Sequence, residues 1–541
     1  MKQLYYNGTI ITVNDDLPQA DAMIVENGKF VAVGSLEDVR KYQDHTTVEY
    51  DLAGKTVLPG FIDGHSHVAN IMSGLPKIYP PPNGNVSSKI LLFNEIQRMI
   101  EQDMLLENGW FVAIGYDHTF FDDESHPTRW DLDKISTEIP ILILHISGHV
   151  GVANSKALSL MKWDKHTSNP PGGIIQRETL SGELNGILEE KAVQKIGLEF
   201  ALADMSMDYL TKMFFDTQKF YASNGITTAQ EGGATPDSLK MLKYCQQHNK
   251  LLIDVVAYPF LELCLSEIPN DTSIQQYKNH LKIAGAKLVA DGSPQAKTAW
   301  LTEPYFIPPQ KMDKEYRGYP VYSDEQMKVF CLKALAHNWQ LLVHCNGDAA
   351  GDQFIEAYRR AQDIAKNEQE LRPVMIHAQT VREDQLDAML ELGIMPSYFH
   401  DHVYYWGDYH LSSVLGPERG ARISPLRSSQ DRGMKFTLHN DSPITPPTPL
   451  FNIHNAVNRK TKDGRNIGVE YTVDVMEAIR AVTINGAYQH FDEKIKGSIE
   501  VGKLADFVIL DANPLSVPKD QLKNINVLRT IKEGETIYEC T

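Results

Sequence analysis

The sequence predicts an α/β chain: a (β/α)8 barrel of the TIM type, a small β-sandwich domain built from both termini, and a large insertion after barrel strand 1. Three observations predict it. Short apolar runs recur through the middle of the chain, each followed by a turn and a helix-periodic stretch. Both ends carry alternating β patterns punctuated by Asn-Gly and Gly turns. One connection, after the first of the apolar runs, abandons the strand–helix rhythm over residues 70–220.

The N-terminal pattern runs through "QLYYNGTIITV", "DAMIVENGKFVAVG" and "TTVEYDLAGKTVLPG", and the same texture returns in "GSIEVGKLADFVILDANP" and "NVLRTIKEGETIYEC". Residues 1–58 and 491–541 are therefore expected to form the one β-sandwich domain. The barrel is expected over 59–490. Its strands are read at "VLPGFID", "GITTAQEGG", "LIDVVAYPF", "AKLVADG", "QLLVHCNGD", "PVMIHAQ", "GIMPSYF" and "KFTLHNDSP". Helical patterns such as "DEQMKVFCLKALAHN" and "REDQLDAMLELG" lie between them. The insertion contains "PPPNG", "GWFVAIGYDHTFFDDESHPTRWDLDKIS" and "LILHISGHVGVANSKAL". A chain leaving strand 1 emerges at the C-terminal face, where sites in such barrels are built, so the segment reads as a lid or substrate-binding subdomain.

With 541 residues, 42% hydrophobic and 23% charged, the chain has an ordinary globular composition. Its 52 Lys and Arg against 70 Asp and Glu give a formal charge of -18. That balance argues against a nucleic acid or an anionic membrane as partner and leaves a small-molecule substrate, with a homo-oligomer compatible. The opening "MKQLYYNGTIITVNDD" lacks the apolar core of a secretion signal. Cys245, Cys264, Cys331, Cys345 and Cys540 show no CxxC spacing and read as free thiols in a reducing compartment, so a cytoplasmic location is expected.

The chemistry lies at the strand ends. Strand 1 ends in His65-Ser66-His67, strand 4 carries Lys287 and ends at Asp291, strand 5 ends in His344, strand 6 in His377 and strand 8 in Asp441. Residues i and i+2 of a strand point the same way, so His65 and His67 can both face the barrel axis. Any one of these residues alone is as well explained as a satisfied polar group or a turn former. Matching positions on strands 1, 5, 6 and 8 point instead to a divalent metal with nitrogen and oxygen ligands, zinc being the usual choice.

On "PGFIDGHSH", "GHVGVANSKAL", "GGIIQRETLSGELNGILEEKAV", "KLVADGSPQAKTAWLTEPY", "LLVHCNGDAA", "PVMIHAQ", "HNDSPI" and the closing "GSIEVGKLADFVILDANPL", the chain resembles the amidohydrolase superfamily. Within it the likeness is to amidohydrolase family 3, the YtcJ-like branch that includes N-substituted formamide deformylases. The resemblance implies two divalent ions: His65 and His67 on the first, His344 and His377 on the second, and Lys287, carboxylated, bridging them. It assigns Asp441 to the first ion and to general base and acid catalysis. An ammonium cannot ligate a cation, so Lys287 must act as a carbamate or a neutral amine. If Asp291 holds the ligand height instead, one metal is expected.

The implied activity is hydrolysis of a non-peptide C–N bond: an amide, an N-acyl or N-formyl amine, or a cyclic amide. Two alternatives stand beside it, hydrolytic deamination of a heterocycle and a non-catalytic binding or regulatory relative. Cys345, Asn346, Gly347 and Asp348 follow His344 where single-metal deaminases of this superfamily usually place a glutamate, which tilts the reading toward amides. His149 and Arg427 are candidate substrate contacts, and Glu189 a weaker one. Asp348 reads as orienting a ligand histidine or as a helix cap, and "YYWGDYH", residues 404–410, as an aromatic pocket wall or as core. His118 and His126 receive no role.

Overall fold

The computed structural model describes residues 2–80, 84–123, 125–146, 148, 150–170, 173–197, 201–202, 205–271, 275–309 and 312–540. They form two compact units, one of Met1–Asn70 with Phe215–Thr541 and one of Ile71–Phe214. The first unit begins with β1 (Gln3–Ile11), β2 (Gln19–Glu26), β3 (Lys29–Gly34), β4 (Val48–Asp51) and β5 (Thr56–Pro59). Asn27 and Gly28, at φ 51° and 74°, close the β2–β3 hairpin with the positive φ that a two-residue turn demands. The two-residue β6 (Phe61–Ile62) follows Gly60, where a Cβ would come within 2.4 Å of Thr227 Oγ1.

The second unit has one five-stranded sheet: β7 (Phe111–Tyr116), β8 (Ile141–His145), β9 (Val150–Ala153), β10 (Gly173–Arg177) and β11 (Leu184–Glu190). Its order is β10-β11-β9-β8-β7, with β7 and β8 parallel. Apolar residues alternate along β7 and β8 between the sheet's two faces. Val112, Ile114, Leu142 and Leu144 join one core, and Phe111, Ala113, Ile141 and Ile143 join another.

The first unit resumes with β12 (Ile226–Ala234), β13 (Asp254–Pro259), β14 (Leu281–Ile283), β15 (Gly285–Val289), β16 (Gln340–Cys345), β17 (Val374–His377), β18 (Met395–Tyr398) and β19 (Thr437–Leu438), all but the short β14 at the apolar runs expected to be strands. All are parallel, in the orders β14-β13-β12-β6 and β15-β16-β17-β18-β19, and a parallel bridge from Phe260 to Lys287 links the two sets. Buried on both faces, these strands read as near-continuous apolar runs. Helices between them start and stop where the sequence directs. Ser323 and Gln326 form a capping box on the helix Asp324–Ala336, and Gly393 at φ 67° ends the helix Glu383–Leu392.

The chain closes with β20 (Phe507–Leu510), β21 (Val527–Lys532) and β22 (Glu535–Glu539). Among the described residues both termini join one continuous eight-stranded sheet, because β5 pairs with β1 on one side and with β20 on the other. Its core draws Tyr5, Met23, Phe30, Val57, Phe507 and Ile531 from both ends of the chain. All five cysteines are free thiols, four of them buried, and among the described residues no helix is long and apolar enough to cross a membrane.

Loops at the strand ends need fixing, and one buried cation does much of it. Arg459 is fully buried and donates to four carbonyls: Ile467 O, Ser424 O and Ile423 O at 2.8 Å, and Ala421 O at 3.2 Å. Burial pushes its guanidinium down to about 10, still charged at neutral pH. Arg459→Met is expected to cost about 3 kcal/mol or more, since each stranded carbonyl loses its donor out of reach of water. Parallel urea denaturation checks this, and a loss below about 1 kcal/mol would mean the loops find other donors.

Candidate metal centre

β6 delivers the chain into Asp63-Gly64-His65-Ser66-His67, and β12 lies alongside it. His65 is completely buried. Its Nδ1 sits 2.6 Å from Gln230 Oε1, and Gln230 Nε2 donates to Gly64 O at 2.8 Å, which fixes the amide so that its oxygen faces the ring. His65 therefore carries its proton on Nδ1 and turns the Nε2 lone pair inward, the orientation a ligating histidine needs. The approach depends on Gly232, where a Cβ would lie 2.1 Å from His65 Cε1. His67 bridges to Glu231 in backbone register, with its Nδ1 3.8 Å from Glu231 Oε1.

Asp441 completes the first group. Its backbone N–H donates to His65 O, and His67 N–H donates to Ser442 O, so the strand 1 and strand 8 ends hold each other. Asp441 Oδ1 faces His67 Nε2 at 3.4 Å and His65 Nε2 at 3.6 Å, is buried, and has no hydrogen bond of acceptable geometry among the described residues. Ligand atoms of all three residues lie within 4.8 Å of one another. A buried carboxylate oxygen facing two imidazole nitrogens is a donor set that a divalent cation satisfies. Burial pushes the Asp441 carboxyl up, but His67, His439 and Lys287 outweigh it and hold it below its usual range. Burial likewise pushes His67 down, and the Asp441 and Glu231 carboxylates override it to about 9. A proton there plays the part of a cation.

A second group adjoins the first. Lys287 Nζ, on β15, lies 3.1 Å from His65 Nε2, and burial pushes the amine down to about 7. His344 Nδ1 lies 3.0 Å from His377 Nε2, and His377 Nδ1 lies 3.2 Å from His439 Nε2. His344 Nε2 faces Gly292 O at 3.0 Å. Burial, then Lys287, lowers His344 to about 4, so it is neutral and able to ligate at physiological pH. The backbone is left-handed at His377, Ala378 and Asp441, with φ of 73°, 45° and 51°. Such positions cost of order 1–3 kcal/mol unless the side chain tolerates them, and they concentrate where function over-determines geometry.

The structure thus brings His65, His67, Lys287, His344, His377 and Asp441 into one cluster. Asp291 is tied to the loops, its carboxylate accepting the N–H groups of Asn346 (2.9 Å), Gly347 (2.7 Å) and Trp300 (2.9 Å), and its Oδ1 also lies 3.7 Å from His344 Nε2 at the edge of the cluster. Arg427 is not brought to the cluster. It is exposed on the helix Leu426–Asp431 and pairs with Asp431 one turn away at 2.6 Å. His149 lies outside the described residues. Glu189 accepts from Gln176 at 2.6 Å, and Asp348 ties down Thr302 N (2.9 Å) and Arg382 (3.2 Å).

Three participants escaped the sequence reading. His439 stands between the two groups, its ring 5.2 Å from both His65 and His377, with Ser397 Oγ at 2.9 Å from its Nδ1. Gln230 and Glu231 end the β12 register opposite His65 and His67. The i, i+2 rule that exposed His65 and His67 also couples His439 to Asp441, and the polar pair in "TTAQEGG" was the signal for strand 2. Phe399 faces His439 at 5.5 Å, nearly parallel, and Trp406 lies 6.1 Å beyond, so "YYWGDYH" contributes an aromatic wall on the helix Asp401–Tyr409.

A family model described as "Amidohydrolase family" matches residues 48–538. The chain is similar to the putative amidohydrolase YtcJ of Bacillus subtilis (strain 168), 27% identical over 563 residues and covering 100% of both proteins. It is similar to the N-substituted formamide deformylase of Arthrobacter pascens, 26% identical over 546 residues, which span 99% of this chain and 98% of that protein. The solved structure of an uncharacterized metal-dependent hydrolase from Pyrococcus horikoshii has the same fold, with a TM-score of 0.77 at 24% identity over 96% of this chain and 99% of that one.

Proposed function

The chain belongs to the amidohydrolase family, and on that premise we propose that it is a metal-dependent hydrolase of a non-peptide C–N bond. The bond is that of an amide, an N-acyl or N-formyl amine, or a cyclic amide. The observation that carries the reading is the convergence of His65, His67 and the buried Asp441 Oδ1. His344 and His377 would hold a second ion, and Lys287, as a carbamate, would bridge the two. Imidazole and carboxylate donors suit zinc.

We further read the parallel strands as a closed (β/α)8 barrel. Gly64, next to β6, lies so close to β19 that a Cβ would come within 2.7 Å of Thr437 Oγ1. Gln489 supports both, donating to Gly64 O and accepting from Thr437 Oγ1, each at 2.7 Å. Closure sets the strand ends around one axis, which is the arrangement the proposed chemistry needs.

Divalent ions at such a centre polarise the scissile carbonyl and make water acidic enough to deliver a nucleophile near neutral pH. The residues supply the rest. Asp441, kept ionised, accepts the proton of the attacking water and returns it to the leaving amine. Gln230 holds His65 in one tautomer, and the Glu231 carboxylate, 3.8 Å from His67 Nδ1, faces the second ring. Phe399 and Trp406 exclude water and offer an apolar face to the substrate. Ring deamination is disfavoured because the acid nearest His344 along the chain, Asp348, is engaged by Thr302 and Arg382.

Metal-stripped protein reloaded with zinc is expected to release amine from at least one member of a panel of N-formyl amines, N-acyl amines and cyclic amides. Activity should vanish on chelation, and elemental analysis should find about two zinc per chain at this site. Ammonia release from amino-purines with no amide turnover would overturn the bond assignment. A single ion at the cluster would overturn the bridging role of Lys287.

A further inference from the structure

We propose a second metal site, in the Ile71–Phe214 unit, where Asp117, His118 and His145 bind a first-row divalent cation such as zinc. The topology builds it. β7 and β8 are neighbouring parallel strands whose register sets Tyr116 opposite His145, after an irregularity between Ile114 and Tyr116 at Gly115, φ 116°. Asp117 is the first residue beyond β7, His118 opens the 3-10 turn His118–Phe120, and His145 ends β8. Three donors from two adjacent strand ends therefore face one point, the kind of carboxyl-end crevice where parallel sheets bind ligands.

The distances match coordination. His118 Nδ1 lies 3.1 Å from His145 Nε2, and Asp117 Oδ1 lies 3.6 Å from His145 Nε2 and 4.0 Å from His118 Nδ1. Metal–ligand bonds of about 2.0–2.1 Å in a tetrahedron put ligand atoms about 3.3 Å apart, so the three atoms need shift by only a few tenths of an ångström. Two imidazoles and one carboxylate are a borderline donor set, suited to zinc and not to calcium or magnesium. The side chains are 16%, 27% and 12% exposed for Asp117, His118 and His145, shielded yet reachable by an ion.

His126 stacks on His118 at 4.0 Å and lies 2.9 Å from Tyr116 Oη through its Nδ1. Three protein donors leave a coordination position for water or an anionic group, as in zinc sites that exchange ligands. None of these residues belongs to the unit that carries His65, His67 and Asp441, so the two sites are separable by mutation.

Full-length protein carrying His65→Ala, His67→Ala, His344→Ala and His377→Ala, stripped of metal and dialysed against zinc, is expected to retain about one ion that a further His118→Ala/His145→Ala pair removes. In the unmutated background the same pair should lower total zinc by about one per chain. Unchanged stoichiometry in both backgrounds overturns the site. Should the paired variant misfold, Asp117→Asn preserves size and shape, and zinc or cobalt titration should show at least about tenfold weaker binding at this one site. Equal affinity would overturn the assignment, and neither readout depends on hydrolytic activity.

Discussion

Asp441→Asn is expected to lose nearly all turnover while keeping its fold and much of its metal. Asparagine matches aspartate in size and accepts the left-handed backbone at φ 51° that position 441 requires. It retains one oxygen to face His65 and His67, so the donor set is weakened and not dismantled. What it cannot do is take a proton from the attacking water and hand it to the leaving amine. Removing a positioned general acid–base costs about 10²–10⁴ in rate, the larger figure applying where one group serves both steps. The measurement is kcat on the best substrate of the panel, with metal content in parallel. Activity within tenfold of the parent, at equal metal, would take Asp441 out of proton transfer. Asp441→Leu is the poorer experiment, because a branched apolar side chain at positive φ would strain the loop as well as delete the carboxylate.

Local pattern made much of this molecule legible. The apolar runs from "GITTAQEGG" to "KFTLHNDSP" are strands in the structure because a buried parallel strand must be apolar on both faces and short. His65 and His67 stood out because period 2 puts them on one side. What depends on distant partners was hidden. That Asp291 holds the N–H groups of Trp300, Asn346 and Gly347 as well as lying 3.7 Å from His344 is set by folding and by no local pattern. Arg427 looks like a substrate clamp until the helix Leu426–Asp431 sets Asp431 one turn from it. The union of the termini into one sheet rests on β5 having two neighbours, which no stretch of sequence displays. His439 lies two residues before Asp441, and the period-2 rule that paired His65 with His67 extends to it.

The opposite ends of the same strands carry charge for stability, and there the largest structural loss is expected. Asp254 opens β13 and is buried against Lys496 Nζ, Lys532 Nζ at 3.0 Å and His280 Nδ1 at 2.8 Å. Lys532 belongs to β21 and also pairs with Asp506 at 3.1 Å, so this one carboxylate stitches the terminal sheet to the parallel strands. Its oxygens could in principle join His280 and Glu533 around a cation, but two ammonium groups already stand there and would repel one. Asp254→Asn removes a negative charge that Lys496 and Lys532 share, and breaking a buried pair by deleting one partner costs about 3–5 kcal/mol. The pH dependence gives the test its sign. Burial pushes Asp254 up, yet Lys496, Lys532 and His280 override it and depress the carboxyl far below its unfolded value. A depressed folded value means the stabilisation is complete above the unfolded value of about 3.9 and fades as pH falls toward the folded one. The gap between parent and Asp254→Asn in urea denaturation should therefore hold from pH 7 to about pH 4 and narrow below it. His280 is raised by its bond to Asp254, so its share is present below about 6.5 and is lost as pH rises through the higher folded value. A gap unchanged between pH 7 and pH 3 would mean that packing around residue 254, and not its charge, holds the sheet to the strands.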